Sequence, residues 1–321
     1  MKAIRFHRAG GPEVLALEEA PDPEPRRGEV RVAVKAAGVN YADVHFRRGE
    51  YFIKPQFPDT PGLEVAGTID AIGEGVTGFS IGDRVMATGA RAYAEKVVAS
   101  EVNAYAIPEG MSFEDAASLP VQGLTAAHVL SMCARLAPGE KVLVHAAAGG
   151  VGSLAVQIAK KKGAFVIGAS TKESKLHAIR ALGADVAVCS KDADFVPQVK
   201  RAGGADVVLE MIGGTEIYKR NLACLNPFGR MVVYGAASGD LRGAIEPVGL
   251  MGKNASVTGY YLTPIVAMRD LCAPVIDELA RDVASGKLRI VRDKTFSLAD
   301  AGEAHRAMES GAVTGKIVLL P

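Results

Sequence analysis

The chain is poor in the features that most directly advertise a partner. Its four cysteines, Cys133, Cys189, Cys224 and Cys272, lie far apart with no Cys-x-x-Cys spacing. They read as small buried hydrophobes in a reducing compartment. Thirty-seven Lys and Arg against 36 Asp and Glu leave a net charge of +1 without a basic block, so nucleic acid is not an expected partner. No apolar run reaches the length of a membrane span, and Met1-Lys-Ala-Ile-Arg-Phe-His7 has no apolar signal core, which excludes a membrane partner and leads us to expect a soluble, cytoplasmic protein. What is present is ample: 49% hydrophobic and 23% charged residues over 321 positions provide for buried cores and two domains of ordinary size.

The most organised stretch is 141–170, which reads as a complete βαβ unit. Lys141–His145 has the length and apolarity of a strand, Ser153–Lys162 has helical periodicity, and Ala164–Ala169 is the next strand. Between the first strand and the helix lies Ala147-Ala-Gly149-Gly150-Val151-Gly152, a dinucleotide-binding fingerprint with alanine in place of its first glycine. Gly149 admits a pyrophosphate close to the backbone, Gly152 lets helix and strand pack closely, and Gly150 and Val151 open a helix whose N-terminus favours phosphate. Ala147 is the weak point, because a tight turn there needs a conformation that alanine tolerates. A glycine-rich turn without ligand is the competing reading.

An NAD site carries an acidic residue about 20 positions on, at the tip of the second strand. Here the tip is Ser170, Glu173 comes late, and Lys172, Lys175 and Arg180 offer positive charge for a ribose 2′-phosphate. NADPH is the expected cofactor, against the alternative that Lys172 and Lys175 are solvated charges at a helix start.

Further strands are expected at Asp185–Cys189, Ala205–Ile212 and Arg230–Tyr234, alternating with helices at Ser174–Leu182, Phe195–Arg201 and through Leu225. That cadence gives a parallel sheet whose ligands gather at the carboxyl ends of its strands, at Gly213, Gly235 and Ala236; each glycine could equally be a plain cap or turn. Residues 1 to about 110 differ. Short β-branched runs such as Val30–Lys35, punctuated by Gly and Pro, predict a small β-rich barrel or sandwich. Near its start, Asn40, Asp43, Arg47 and Tyr51 follow a strand end and could line one cleft; alternatively Asn40 caps a helix and Arg47 pairs with Asp43 on its surface. After Ile265, helices at Val275–Ser285 and Asp300–Ser310 alternate with strands at Arg289–Thr295 and Gly315–Leu320, with His305 expected to be exposed.

Taken together, Ala37-Gly-Val-Asn-Tyr-Ala-Asp43, Thr60-Pro-Gly-Leu-Glu-Val-Ala-Gly67, Gly82-Asp-Arg-Val85, Ala146-Ala-Ala-Gly-Gly-Val-Gly152 and Gly315-Lys-Ile-Val-Leu319 resemble the medium-chain dehydrogenase/reductase superfamily. They point to its zinc-free quinone oxidoreductase branch, to which zeta-crystallin belongs. The resemblance implies an α/β fold: a GroES-like β-rich catalytic domain from residues 1–122 and 265–321, and a Rossmann doubly wound parallel sheet, the NADP(H)-binding domain, over 123–264. It also implies an active-site cleft at their junction and a homodimer. Carried over by matching position, Thr125 lies near the nicotinamide ribose, Ser170 and Lys175 near the 2′-phosphate, and Tyr260, Tyr261 and Leu262 near the carboxamide. Lys316 joins this cofactor-binding set. Ser190 stands where many relatives have tyrosine, and Glu210 replaces a frequent aspartate. His128 and His145, tempting as bases, read better as core or supporting histidines.

Zinc-dependent relatives place a Cys near Asn40 and a His where this chain has Leu63, and no cysteine precedes Cys133. A catalytic zinc needs about three protein ligands and a structural one about four, so no zinc is expected. Hydride addition to an electrophilic quinone or conjugated enone needs no Lewis acid, whereas alcohol oxidation does. The expected function is NADPH-dependent reduction of a small-molecule quinone or enone, with Tyr51 and Asn40 hydrogen-bonding the developing oxyanion and Asp43 and Arg47 lining the substrate cleft. The alternatives are an enoyl-thioester or alkenal double-bond reductase and a non-catalytic NADPH- or RNA-binding module.

Overall fold

A computed structural model describes residues 1–89, 91–191 and 195–321. They form two compact units, one of Met1–Leu124 with Leu262–Pro321, the other Thr125–Tyr261. In chain order the strands are β1 (Lys2–Arg5), β2 (Ala16–Glu19), β3 (Glu29–Val39), β4 (Glu64–Ile72), β5 (Arg84–Thr88), β6 (Lys96–Ser100), β7 (Ala104–Ala106), β8 (Lys141–Val144), β9 (Phe165–Ser170), β10 (Val186–Cys189), β11 (Ala205–Glu210), β12 (Leu225–Val233), β13 (Ser256–Gly259), β14 (Arg292–Ser297) and β15 (Lys316–Leu320).

In the first unit one sheet runs β14-β15-β3-β4-β5-β7, and β6 also pairs with β3. The long β3 is its spine: the alternating Val30, Val32 and Val34 are buried, and they pack with Ile69, Val85, Val97 and the returning Ile317 and Leu319. The chain reaches this return through the Arg269–Ala284 helix, which begins six residues before the expected Val275 and carries Pro274 inside it. Pro274 cannot donate to the Asp270 carbonyl and its ring crowds that group, a cost offset by the buried Cys272, Ile276 and Leu279 that hold one face of the helix in place.

The second unit is a six-stranded sheet in the order β10-β9-β8-β11-β12-β13, with every pair parallel. Numbered within the unit this is 3-2-1-4-5-6, the doubly wound order whose connections reverse between its first and fourth strands. Val142, Leu143 and Val144 of β8 are fully buried, as are Val207, Val208 and Leu209 of β11 beside it. Continuous apolar runs of this kind belong to strands covered on both faces. The Phe195–Arg201 helix falls where its periodicity places it. By contrast β12 begins at Leu225, five residues before the expected Arg230. Among the described residues no helix is long and apolar enough to cross a membrane. Cys224 and Cys272 are buried, whereas Cys133 and Cys189, expected to be buried as well, are only partly so.

Candidate functional site

In the second unit the turn from β8 into the Gly150–Lys161 helix carries the glycine motif. The helix begins at Gly150, so that Gly150 and Val151 form its first turn ahead of the periodic stretch from Ser153. Gly149 is its N-cap in ordinary extended backbone (φ −83°, ψ −177°), so its value is room rather than dihedral freedom. A Cβ there would meet only the Ala146 carbonyl, at 3.2 Å. At Gly152 a Cβ would run into the Ala146 carbonyl and come within 2.8 Å of the Ala147 Cα; glycine is what allows the first helical turn to sit on the strand end. Ala147, the expected weak point of the turn, is buried and keeps an ordinary negative φ, and the left-handed conformation falls on Ala146 (φ 48°). The first amides of this helix have no intrahelical acceptor. With no side chain on the half-buried Gly149 beside them, they fit a pyrophosphate.

The other expected cofactor residues in this unit gather at the carboxyl ends of the same sheet. Ser170 ends β9, and its Oγ accepts the Lys172 amide at 3.1 Å; Lys175 closes the short 3-10 turn Glu173–Lys175 that follows. Gly213 (φ 84°) follows β11 and is held by Glu210, whose Oε1 accepts the amides of Ile212 and Gly213, the latter at 2.9 Å. Glu210 is fully buried, its Oε2 accepts from Asn221 Nδ2, and Asn221 Oδ1 lies 2.7 Å from His145 Nε2. His145 is thus a buried support of the loop rather than a base facing a ligand. Gly235 and Ala236 follow β12, where the Ala237 and Ser238 amides donate to the Met211 and Ile212 carbonyls and tie the two loops together. Thr125 is buried in the Gln122–His128 helix, and the buried Tyr260 hydroxyl lies 2.9 Å from His128 Nδ1. Tyr261 follows it in the second unit, while Leu262 opens the returning segment of the first.

The first unit holds a buried polar cluster around the end of β3. Asn40 sits at the N-cap of the Tyr41–Arg47 helix, but its side chain does not face a cleft. Oδ1 accepts from Gln122 Nε2 and Lys316 Nζ, both at 3.1 Å, and Nδ2 donates to Glu64 Oε1 at 2.8 Å and to the Gly38 carbonyl at 3.4 Å. All its capacity is spent inside the protein, which corrects the expectation that Asn40 binds an oxyanion. Lys316 and Glu64 are an ion pair buried to 1% and 0% exposure, so the Lys316 ammonium is enclosed rather than presented to a cofactor. Arg47 is corrected as well. Its guanidinium is fully buried, donating to the Gly10 carbonyl at 3.0 Å, to His305 Nδ1 at 3.1 Å and to Glu309 at 2.6 Å. It therefore neither lines a cleft nor pairs with Asp43 on the surface. His305, expected to be exposed, is completely buried by this contact.

Asp43 and Tyr51 do share a hollow, of about 300 Å³, with Phe46, Lys54, Thr60, Leu63 and Arg91 also in its wall. Gly62 shapes it: at φ 105°, with Ala92 and Tyr93 against the place of a Cβ, only glycine fits. Asp43 is buried, and both of its protein hydrogen bonds, from the Asn40 amide at 2.8 Å and the Tyr93 hydroxyl at 3.0 Å, end on Oδ2. Burial raises its pKa to about 7 against the opposing pull of those two bonds and of Lys316. Sequence reasoning missed Tyr93, Gln122, Asn221 and His305; of these only His305 had a signal, standing on the inward stripe of an amphipathic helix. Among the described residues no group of three or more His, Cys, Asp or Glu is placed to hold a metal ion.

The second unit thus has the architecture of a dinucleotide-binding domain, and the chain joins it to a β-rich unit that carries its own partly open hollow with Asp43 and Tyr51 in the wall. Comparison with known proteins agrees. Residues 26–176 match the alcohol dehydrogenase GroES-like domain, and residues 182–319 match the family described as zinc-binding dehydrogenase. The quinone oxidoreductase of Rattus norvegicus is 34% identical over 329 residues, covering 100% of this chain and 98% of that one. Quinone oxidoreductase 1 of Escherichia coli is 34% identical, with 99% of each chain covered. The crystal structure of Escherichia coli quinone oxidoreductase complexed with NADPH superposes with a TM-score of 0.94 at 32% identity over 100% of both chains, and that of the Pseudomonas syringae quinone oxidoreductase with 0.93 at 34% identity, covering 100% of this chain and 99% of the other. The chain belongs to the quinone oxidoreductase family of the medium-chain dehydrogenase/reductase superfamily.

Proposed function

We propose that the protein is an NADPH-dependent, zinc-independent reductase that transfers a hydride to quinones or related conjugated carbonyls. The observation that carries this reading is the turn into the Gly150–Lys161 helix, with glycine at 149 and 152 where a Cβ would crowd or strike the Ala146 carbonyl, in a chain whose relative was solved complexed with NADPH. Bound there, NADPH supplies the hydride. The chain's residues do the rest: Gly149, Gly150 and Val151 take the pyrophosphate, Ser170 and Lys175 the 2′-phosphate, and Thr125, Gly213, Gly235, Ala236 and Tyr260 to Leu262 the remainder of the dinucleotide. Tyr51 donates a hydrogen bond to the oxygen on which charge develops, and the hollow around it orients the acceptor.

Zinc independence is supported by Asn40 and Leu63 at positions where zinc-dependent relatives carry ligands, and by the absence of any cysteine before Cys133. Elemental analysis of the active protein tests it: stoichiometric zinc lost together with activity on chelation overturns this part. A homodimer and a cytoplasmic location complete the reading, the second supported by four unpaired thiols; sedimentation and cell fractionation check them. The decisive experiment measures NADPH against NADH oxidation with a set of quinones, enones and enoyl thioesters. Faster NADPH oxidation with quinones than with enoyl thioesters is expected. Turnover confined to enoyl thioesters makes the protein a double-bond reductase, and tight NADPH binding without consumption by any acceptor makes it a binding module.

A further inference from the structure

The Tyr93 hydroxyl stands between two buried groups, 3.0 Å from Asp43 Oδ2 and 3.1 Å from His305 Nε2. The direction of the bonds through it is fixed by elimination. Arg47 can only donate, so His305 Nδ1, 3.1 Å from Arg47 Nη1, must accept. Burial and the neighbouring Arg47 charge hold the His305 pKa down at about 3, so the ring is neutral and its single hydrogen sits on Nε2. That hydrogen goes to the Tyr93 oxygen, and the Tyr93 hydrogen is left for Asp43 Oδ2. The Asn40 amide donates to the same oxygen. Among the described residues Oδ2 therefore receives two donors and Oδ1 none, in a side chain that lines the hollow shared with Tyr51. A carboxyl proton placed on Oδ2 would face both donors. Placed on Oδ1, it leaves every bond intact.

We propose that Asp43 is the proton donor to the reduced acceptor, with its acidic hydrogen on Oδ1 turned into the hollow and its orientation set by the one-way chain Arg47, His305, Tyr93. This rests on the hydride-transfer reading above and assigns the second half of the same reaction. Hydride addition to a quinone brings two electrons and one hydrogen and leaves negative charge on an acceptor oxygen. The Asp43 O–H bond breaks as an O–H bond forms on that oxygen, giving neutral hydroquinone and the Asp43 carboxylate. Water entering the hollow returns the proton to Asp43 after product leaves. A donor that titrates near neutrality is well matched to this step. The charged and titratable groups around Asp43 are Tyr93 on Oδ2, Lys316 and Glu64 from the buried pair, and Tyr51, Lys54, Asp59 and Arg91 in the wall of the hollow, the last two paired at 3.0 Å. Tyr93 and His305 are positioning residues.

The test compares wild type, Asp43→Asn and Tyr93→Phe for kcat against pH with NADPH and 1,4-benzoquinone, for NADPH affinity by fluorescence, and for the protonated-carboxyl band in infrared pH-difference spectra. Asparagine can keep its oxygen on the two donors and place its amide in the hollow, so Asp43→Asn is expected to bind NADPH as wild type does. The wild-type kcat should fall above about pH 7, with the carboxyl band bleaching over the same range. Asp43→Asn should lose the band, the alkaline limb and about a hundredfold in kcat, leaving KM little changed. Tyr93→Phe removes a bond that favours the carboxylate and should move the limb up by about one pH unit. Asp43→Asn turning over at the wild-type rate with an unaltered pH profile overturns the proposal, as does the absence of a protonated carboxyl at about pH 6 in wild type. Wild type that binds NADPH but reduces no quinone overturns instead the reading on which the proposal rests.

Discussion

Lys316 and Asn40 are 276 residues apart in the chain, yet the Lys316 ammonium lies 3.1 Å from the Asn40 amide oxygen and pairs with the Glu64 carboxylate beside it. The returning strand β15 is thus attached to β3 and β4 by charge as well as by the sheet ladder. A buried pair is costly to break from one side, because the remaining charge has nothing to answer it. Lys316→Met should destabilise the protein by about 3–5 kcal/mol in urea titrations. Adding Glu64→Gln to it should recover much of that loss, and equal stabilities for the single and double variants would show the pair to be unimportant.

The glycine turn makes a prediction in which two small changes have opposite signs. Gly152→Ala forces a methyl against the Ala146 carbonyl; overpacking of this kind costs about 1–3 kcal/mol and should abolish measurable NADPH binding. Ala146→Gly relieves a left-handed alanine at φ 48°, worth about 1–2 kcal/mol, against the entropy that glycine adds to the unfolded chain. It should stabilise by about 0.5 kcal/mol and leave NADPH affinity unchanged, both readable by thermal shift with and without cofactor.

These two residues also show how far the sequence could be read. The βαβ unit was legible because continuous apolar strands, a periodic helix and the glycine spacing follow from local chemistry, and the six-stranded parallel sheet extends that cadence. Which residue of the turn would take the left-handed conformation was not legible: it depends on how β8 ends at Val144, and the burden falls on Ala146 rather than Ala147. The polar cluster was hidden for a different reason. Arg47, Tyr93 and His305 come from three separate segments, and only the fold brings their hydrogen-bonding groups together. The periodicity of its helix puts His305 on the inward stripe with Ala301 and Ala304, but only the fold shows that Arg47 and Tyr93 are the partners that meet it there.

The loop after β11 depends on a relay from His145 through Asn221 to Glu210. Asn221→Ala leaves a buried carboxyl oxygen and a buried imidazole nitrogen without partners, at about 1–3 kcal/mol each. Because Glu210 also holds the Ile212 and Gly213 amides, the variant should bind NADPH more weakly as well as unfold more readily. Calorimetric titration checks this, and loss of stability with wild-type affinity would separate the relay from the cofactor.

Lys175 bears on the choice of dinucleotide. A charge-assisted contact to the 2′-phosphate contributes on the order of 1.5–3 kcal/mol, and NADH has no such group. Lys175→Ala should raise the Kd for NADPH by about ten- to hundredfold and leave that for NADH where it was. Equal weakening of both cofactors would place the lysine elsewhere.

Asp43 and His305 make opposite contributions to stability as pH changes. His305 has an ordinary pKa of 6.5 lowered to about 3 by burial and Arg47. Its contribution is fully present above pH 6.5 and is lost as pH falls toward 3, when the unfolded chain gains a proton that the folded one refuses. Asp43 has an ordinary value of 3.8 raised to about 7 by burial. Its contribution is fully present below pH 3.8 and is lost as pH rises toward 7, when the unfolded chain releases a proton that the folded one keeps. Each slope is about 1.4 kcal/mol per pH unit, and between about pH 4 and 6.5 they cancel in the wild type. Asp43→Asn should expose the histidine slope, with stability rising across that interval. His305→Gln, whose amide can still accept from Arg47 and donate to Tyr93, should expose the carboxyl slope, with stability falling. Urea titrations at closely spaced pH values read both. Parallel curves for the two variants would mean that neither group keeps the protonation state that its burial requires.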